Sequence, residues 1–275
     1  TQALLIEAFS VIRGNDKITG ALKAWLLRNK QTNHWSSTKS TADACYALLL
    51  QGGNWLDTEP VVSVELGAIT TIRPDKTEAG TGYFQKQIPG TGVFPEMGNI
   101  AVNVQQAQGS KSAQPVWGAV YWQYFENLDK ITEATGPLKI KKHVMVTRAT
   151  KNGPVLEPVI EGSPLQVGDK ITVRLELTSD RSMEYVHLKD MRASALEPVN
   201  VLSGYKWQGG LGYYESTRDA STNFFISYLP KGTFVMEYAL FVSHAGVFSN
   251  GISTVQCMYA PEFTCHSAGI KLTVE

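Results

Sequence analysis

The residues of this chain best suited to nucleophilic or metal chemistry are few: Cys45, Cys257 and Cys265, and five histidines, His34, His143, His187, His244 and His266. Metal sites commonly show as C-x-x-C or H-x-x-x-H, spacings that bring two ligands onto one turn or one helix face. Neither pattern occurs, and Cys265 and His266 are adjacent, a poor geometry for one ion. The histidines are therefore expected at strand ends and turns, and Cys45 in a core, where free cysteine usually sits. Cys257 and Cys265 are seven residues apart with an Ala-Pro turn signal between them, so a disulfide and two free thiols both stay open. No G-x-S-x-G elbow is present to raise a serine nucleophile. Glu184, Asp190 and Glu197 lie close in sequence, but paired-acid chemistry needs two carboxyls held roughly 5–10 Å apart, and their spacing reads as surface charge. The glycines of WQGGLGYY (207–214) stand in β-type sequence with no helix behind them. A dinucleotide loop sits between strand and helix, so a flexible or bulged hairpin is expected instead.

Aromatic residues offer binding rather than catalysis. Tyr205, Trp207, Tyr213 and Tyr214 are flanked by glycines and form the candidate contact surface, expected in an exposed loop. A second group, Trp117, Tyr121, Trp122, Tyr124 and Phe125, crowds one apolar segment that reads as a central strand buried on both faces. Lys139, Lys141 and Lys142 with Arg148 and Lys151 read as the protection of an edge strand.

The elements that position these residues change character near residue 57. Ile18, Ala21, Leu22, Trp25 and Leu26 fall at helical spacing on one stripe. A further helix follows Ser37 or Thr38, whose hydroxyl can cap its first turn, with Ala42, Cys45, Tyr46, Leu48 and Leu49 as its inward face. With residues 1–11 this makes three short helices. Beyond Asp57 the period becomes two, with VVSVELGAIT, YFQKQI, NIAVNVQQA and VWGAVYWQYF as candidate strands between Gly, Pro, Asn and Asp clusters. A second β unit follows from Lys139, with KKHVMVTRAT, KITVRLELTSD, YVHLKDMRA, FFISYL, FVMEYALFVS and KLTVE. About seven short strands with turn signals at QVGD and LPKG suggest an antiparallel two-sheet β-sandwich with Greek-key connections.

Several stretches resemble one family. GTFVMEYALFVSHAGVFSNGISTVQCMYAPEFTCHSAG, with Tyr259, Ala260, Pro261 and Glu262 at its M-Y-A-P-E, resembles the closing segment of the bacterial alpha-2-macroglobulin-like proteins. LKDMRASALEPV resembles their D-x-x-P-A-G-L-E-P loop, departing at Arg192 and Ser194, and FFISYLPKG fits as well. WSSTKSTADACYALL resembles the start of a late helix in their thioester-bearing helical domain. The resemblance implies a division into 1–57, the last helices of an α/α toroid; 58–136, the second half of a small CUB-like β connector; and 137–275, a final macroglobulin-type sandwich. It implies a protease-trapping inhibitor whose partners are proteases, met through the full-length parent, and upstream macroglobulin domains, met within the molecule. A bacterial envelope location follows, with membrane attachment only through an upstream lipid anchor. The chain starts inside helical sequence without an initiator Met, as a fragment of a longer protein would.

The family's thioester joins a Cys to the Gln of C-x-E-Q, three residues on. Cys45, Cys257 and Cys265 are followed at that distance by Leu48, Ala260 and Ala268, so no thioester residue is assigned, and neither a cofactor nor catalysis is expected. Composition agrees with a passive role. Lysine plus arginine and aspartate plus glutamate are 25 each, so there is no basic field for nucleic acid. No apolar run approaches the roughly 20 residues of a membrane span. The alternative reading of the same residues is an adhesin-like sandwich that binds a glycan or peptide through Tyr205, Trp207, Tyr213 and Tyr214.

Overall fold

A computed structural model describes residues 1–14, 16–29, 35, 37–50, 60–73, 77–78, 82–105, 116 and 118–275. The chain forms two compact units, Thr1–Ala119 and Val120–Glu275.

The first unit opens with α1 (Gln2–Ala8), prolonged by a π turn over Phe9–Arg13, then α2 (Asp16–Arg28) and α3 (Thr38–Leu50). Ser37 caps α3: its hydroxyl accepts from Ser40 N at 3.1 Å and its carbonyl from Thr41 N at 2.9 Å. Ile6, Leu26, Ala44, Ala47 and Leu48 form a small core. It is narrower than the sequence stripes and rotated from them. On α2 the buried residues are Thr19, Lys23 and Leu26, while Trp25 is 52 % exposed. On α3 Ala42, Cys45, Tyr46 and Leu49 face outward, so the expectation of a buried Cys45 is corrected. Hydrophobic spacing named one wide apolar stripe per helix, and packing among the three described helices covers only part of it. Lys23 reaches the end of α3, donating from Nζ to Leu48 O at 3.2 Å.

The same unit holds β1 (Val61–Leu66), β2 (Thr70–Ile72) and β3 (Ile100–Gln105), an antiparallel sheet in the order β2-β1-β3. VVSVELGAIT is thus a hairpin, turned at Gly67 and Ala68, both at positive φ. A Cβ on Gly67 would meet Glu96 O at 2.1 Å, so only glycine fits. YFQKQI, expected as a strand, is irregular. The residues at the 57/58 boundary lie outside the described ones.

The second unit contains β4 (Leu138–Thr150), β5 (Gly153–Pro158), β6 (Pro164–Leu165), β7 (Lys170–Ser179), β8 (Met183–Met191), β9 (Leu196–Pro198), β10 (Gly204–Gln208), β11 (Leu211–Arg218), β12 (Ser221–Leu229), β13 (Gly232–Val242), β14 (Gly246–Asn250), β15 (Ser253–Cys257), β16 (Ala260–His266) and β17 (Ile270–Val274). They form a six-stranded antiparallel sheet, β10-β11-β12-β8-β15-β16, a five-stranded one, β5-β4-β7-β13-β9, and a small sheet, β14-β17-β6. The two large sheets face each other across one continuous apolar core. β7 shows why. Ile171, Val173, Leu175 and Leu177 alternate inward, and Lys170, Thr172, Arg174, Glu176 and Thr178 outward. The QVGD turn forms as read, with Asp169 accepting from Gln166 N at 2.8 Å and from Arg148 at 2.7 Å.

Two further readings are corrected. Residues 118–127 make no strand, and Tyr121, Trp122, Tyr124 and Phe125 are exposed. An apolar run becomes a strand only where a neighbour takes up its backbone bonds, and no sheet includes this one. Trp117 lies outside the described residues. β4 is an edge strand over its first half, where Lys139 and Lys141 project with β7 as the sheet neighbour; β5 covers only Met145–Thr150, the half with Arg148, and Lys142 turns inward. Residues 128–136 lie along the sandwich, with Ala134 bridging His266 and Ile131 O accepting from Gly269 N at 2.9 Å.

Candidate functional site

The proposed contact residues are strand residues, not loop residues. β10 and β11 form a hairpin closed by Gly209 and Gly210, both at positive φ, with Tyr205 opposite Tyr214, Lys206 opposite Tyr213 and Trp207 opposite Gly212. Alternation then separates the four aromatics. Tyr205 and Trp207 are 87 % and 77 % exposed on the outer face. Tyr214 joins them there, its ring 5.1 Å from that of Tyr205 and edge to face. Tyr213 points inward, buried against Phe224, with its hydroxyl donating to Gln208 Oε1 at 3.0 Å. Burial, and then the nearby Glu215, push its phenol up to about 12. Three of the four residues therefore share a surface, and Tyr213 supports it from beneath.

Two residues unforeseen in that role extend the surface. Phe225 pairs with Tyr214 and His187 pairs with Phe225, giving a row Tyr205–Tyr214–Phe225–His187 across four strands. His187 stacks on Phe225 at 4.8 Å and meets Asn223 Oδ1 through Nε2 at 3.0 Å. It lies mid-strand, as does His143, correcting the expectation of strand ends, while His34 lies outside the described residues. A groove of about 480 Å³ runs beside the row, lined by Tyr205, Lys206, Trp207, Gly212, Tyr213, Phe225 and Ser227.

Tyr259, Ala260, Pro261 and Glu262 occupy the turn and first residues of the β15–β16 hairpin, and the turn itself is at Met258 and Tyr259. Tyr259 packs edge to face on Tyr185 at 5.2 Å. Tyr185 holds φ +54°, a conformation costly for a bulky side chain. Cys257 and Cys265 are free and buried. Burial raises both thiols, that of Cys265 to about 12.

Chemically, the unexpected feature is inside the sandwich. Lys142 occupies an inward position of β4 between Ile140 and Val144, and its side chain is 3 % exposed. Its Nζ lies 2.7 Å from Asp190 Oδ1 on β8, and it also donates to Met191 O at 2.5 Å and Gly251 O at 2.8 Å. Asp190, fully buried, accepts further bonds from Ser253 Oγ at 2.7 Å and from the hydroxyl of Tyr238 on β13. Burial first, then the Asp190 charge beside it, hold the Tyr238 phenol well above the usual tyrosine range, so it is a neutral donor. Every donor on the Lys142 ammonium has an acceptor, and both carboxylate oxygens are engaged. No nucleophile or general base is left over, so the cluster ties one sheet to the other rather than performing a reaction. The surface reading of Asp190 is corrected. The signal was alternation: Lys142 and Asp190 stand where the strand period calls for apolar residues.

The loop after Asp190 keeps its turn despite Arg192 and Ser194, with Ala193 O accepting from Leu196 N at 3.0 Å. Arg192 is itself buried, donating to Thr222 Oγ1 at 3.1 Å and to Arg218 O. Among the described residues no group of three or more His, Cys, Asp or Glu could hold a metal, and no helix is long and apolar enough to cross a membrane.

Residues 138–262 match the family model for the bacterial alpha-2-macroglobulin MG10 domain. No curated protein matches the chain. Among solved structures it is similar to trypsin-activated alpha-2-macroglobulin of Escherichia coli, with 13 % identity and TM-score 0.48, covering 100 % of this chain and 18 % of that one. For Salmonella alpha-2-macroglobulin reacted with methylamine the values are 14 %, 0.41, 99 % and 17 %. For native E. coli alpha-2-macroglobulin from domain MG7 to the C-terminus they are 13 %, 0.41, 100 % and 41 %. The chain thus spans under a fifth of the first two and about two fifths of the third. The match to the bacterial alpha-2-macroglobulin MG10 domain over 138–262 therefore lies within the sandwich, on the strands that build its continuous core.

Proposed function

We propose that these 275 residues are the non-catalytic C-terminal portion of a bacterial alpha-2-macroglobulin-like protease-trapping inhibitor. The observation that carries this reading is the MG10 match over 138–262 on an intact two-sheet domain. The similar E. coli protein is described as activated by trypsin, and again by porcine elastase, so serine endopeptidases of that kind are the proposed targets of the full-length parent. The parent works in the bacterial envelope, periplasmic or at the outer membrane.

Within it, residues 1–57 end the thioester-type helical domain, 58–136 complete a CUB-like connector, and 137–275 form the final sandwich. The exposed apolar side chains of the helices, among them Leu4, Val11, Ile12, Trp25, Tyr46 and Leu49, support the first assignment, because neighbouring helices of a toroid would cover them. The sandwich is a rigid body that shields the reactive helical domain and lets it swing once the bait is cut. Its contact face comprises Tyr205, Trp207 and Tyr214, supported from beneath by Tyr213.

The test uses the full-length protein and the 275-residue chain in parallel, each mixed with trypsin or elastase. The full-length protein should block cleavage of large protein substrates while small peptides are still cut. The fragment should change neither. Stoichiometric inhibition by the fragment alone, or turnover of any substrate by it, would overturn the reading.

A further inference from the structure

We infer that Asn152, at the β4–β5 turn, is a site of spontaneous covalent modification, converting to aspartate and isoaspartate through attack by the Gly153 nitrogen on its own side chain. The sequence Asn-Gly occurs twice in the chain, at 152–153 and at 250–251. By sequence the two are equally reactive, because glycine leaves its nitrogen unshielded by a side chain and its backbone free to turn. The fold separates them.

Asn152 stands exposed at the tip of the hairpin, where Thr150 faces Gly153 as the last pair of the ladder. Its backbone N–H donates to Thr150 Oγ1 at 3.3 Å, and among the described residues its side-chain amide has no hydrogen-bond partner. Gly153 sits at φ +109° with open space where a Cβ would stand. The closing pair of a ladder opens at little cost in free energy, so side chain and nitrogen can meet. Asn250 is held on every side. It is buried, and its Oδ1 accepts from Ala193 N at 3.0 Å. Gly251 behind it is wedged: a Cβ there would lie 2.2 Å from Met191 Cβ, and its carbonyl accepts from Lys142 Nζ at 2.8 Å. Ring closure at Asn250 therefore requires the loop after Asp190 to open.

At Asn152 the steps balance with water alone. The Gly153 nitrogen gives its proton to hydroxide and bonds to Cγ, the Cγ–Nδ2 bond breaks, and ammonia leaves with a proton taken from water. Water then opens the five-membered imide. Cleavage at Cγ leaves aspartate in an ordinary backbone. Cleavage at the main-chain carbonyl leaves isoaspartate, whose backbone is one methylene longer. Either product adds a negative charge beside Lys151. The longer one puts the Thr150–Gly153 closure out of register, at the end of the strand pairing that covers Met145–Thr150.

The experiment warms the 275-residue chain at pH 8 for several days, with and without urea. Peptide mapping by mass spectrometry reads the amide-to-acid change, and methylation by protein isoaspartyl methyltransferase reads isoaspartate. In the native chain Asn152 should convert about tenfold or more faster than Asn250, the protection expected of a residue that reacts only after local opening. In urea the two should convert at similar rates. Asn152→Gln, which would have to close a six-membered ring, should abolish methylation at this turn without moving the melting point. An Asn152 left unchanged in the native chain, equal native rates at the two sites, or methylation at the turn that persists in N152Q would each overturn the inference.

Discussion

Replacing Asp190 by Asn keeps the volume of the side chain and removes its charge. The Lys142 ammonium, buried between the sheets, would then be left with two backbone carbonyls and a neutral amide. Breaking a buried pair from one side costs about 3–5 kcal/mol, because the remaining charge keeps its desolvation penalty without its partner. Lys142→Met should cost a similar amount, since it strands the carboxylate and leaves Met191 O and Gly251 O unpaired. The double variant, K142M with D190N, leaves neither charge and should cost well under the sum of the two, with a coupling of roughly 2–3 kcal/mol. At about 2–4 °C per kcal/mol for a domain of this size, each single variant lowers the melting point by roughly 6–20 °C. Urea denaturation followed by circular dichroism reads the same change as a lower midpoint at unchanged slope. The surface pair Lys39–Asp43, 84 % and 52 % exposed, is the control, and Asp43→Asn should cost no more than about 0.5 kcal/mol. Single variants within 1 kcal/mol of the parent, or a double variant whose cost is strictly additive, would refute the account of the cluster as an inter-sheet clamp.

Three further outcomes follow. Tyr213 and Tyr238 have phenols raised in the folded protein; their contribution is present in full below pH of about 10, where unfolded tyrosine begins to ionise, and is lost as pH rises further. Unfolding free energy measured from pH 9 to pH 12 should therefore fall, and a rise would contradict the assigned direction. Ellman's reagent at pH 8 should find one reactive thiol, Cys45, in the native chain and three in denaturant without reductant, because Cys257 and Cys265 are buried with raised pKa values; a denatured count of one would mean that the two are bridged. Limited proteolysis should cut first within residues 1–127, where the helical core is small and the aromatic segment is exposed, leaving a resistant piece that ends at Glu275; early loss of the sandwich would show that it is not the autonomous part.

What the sequence determined by itself was whatever depends on local period and short motifs. The inward residues of β7 alternate strictly, Ser37 carries a hydroxyl where a helix begins, and the QVGD turn needs only its own four residues and the Asp169 carboxylate. The motif around Tyr259 likewise pointed to the family before any contact was known. Only the tertiary structure decided matters that depend on who the neighbour is. Residues 118–125 had the composition of a buried strand and no partner to pair with, while the segment of β10 and β11, read as a flexible hairpin with its aromatics in a loop, found a place at the edge of the six-stranded sheet. Cys45 and Trp25 lay on apolar stripes that three helices do not suffice to cover. Lys142 and Asp190 lie 48 residues apart on different sheets. Neither reads as interior alone, since burying a single charge is prohibitive, and each becomes tolerable inside only because the fold brings the other within 2.7 Å. A strand's period fixes which way a side chain points; what it meets there is set by sheet order and packing, which link residues far apart along the chain.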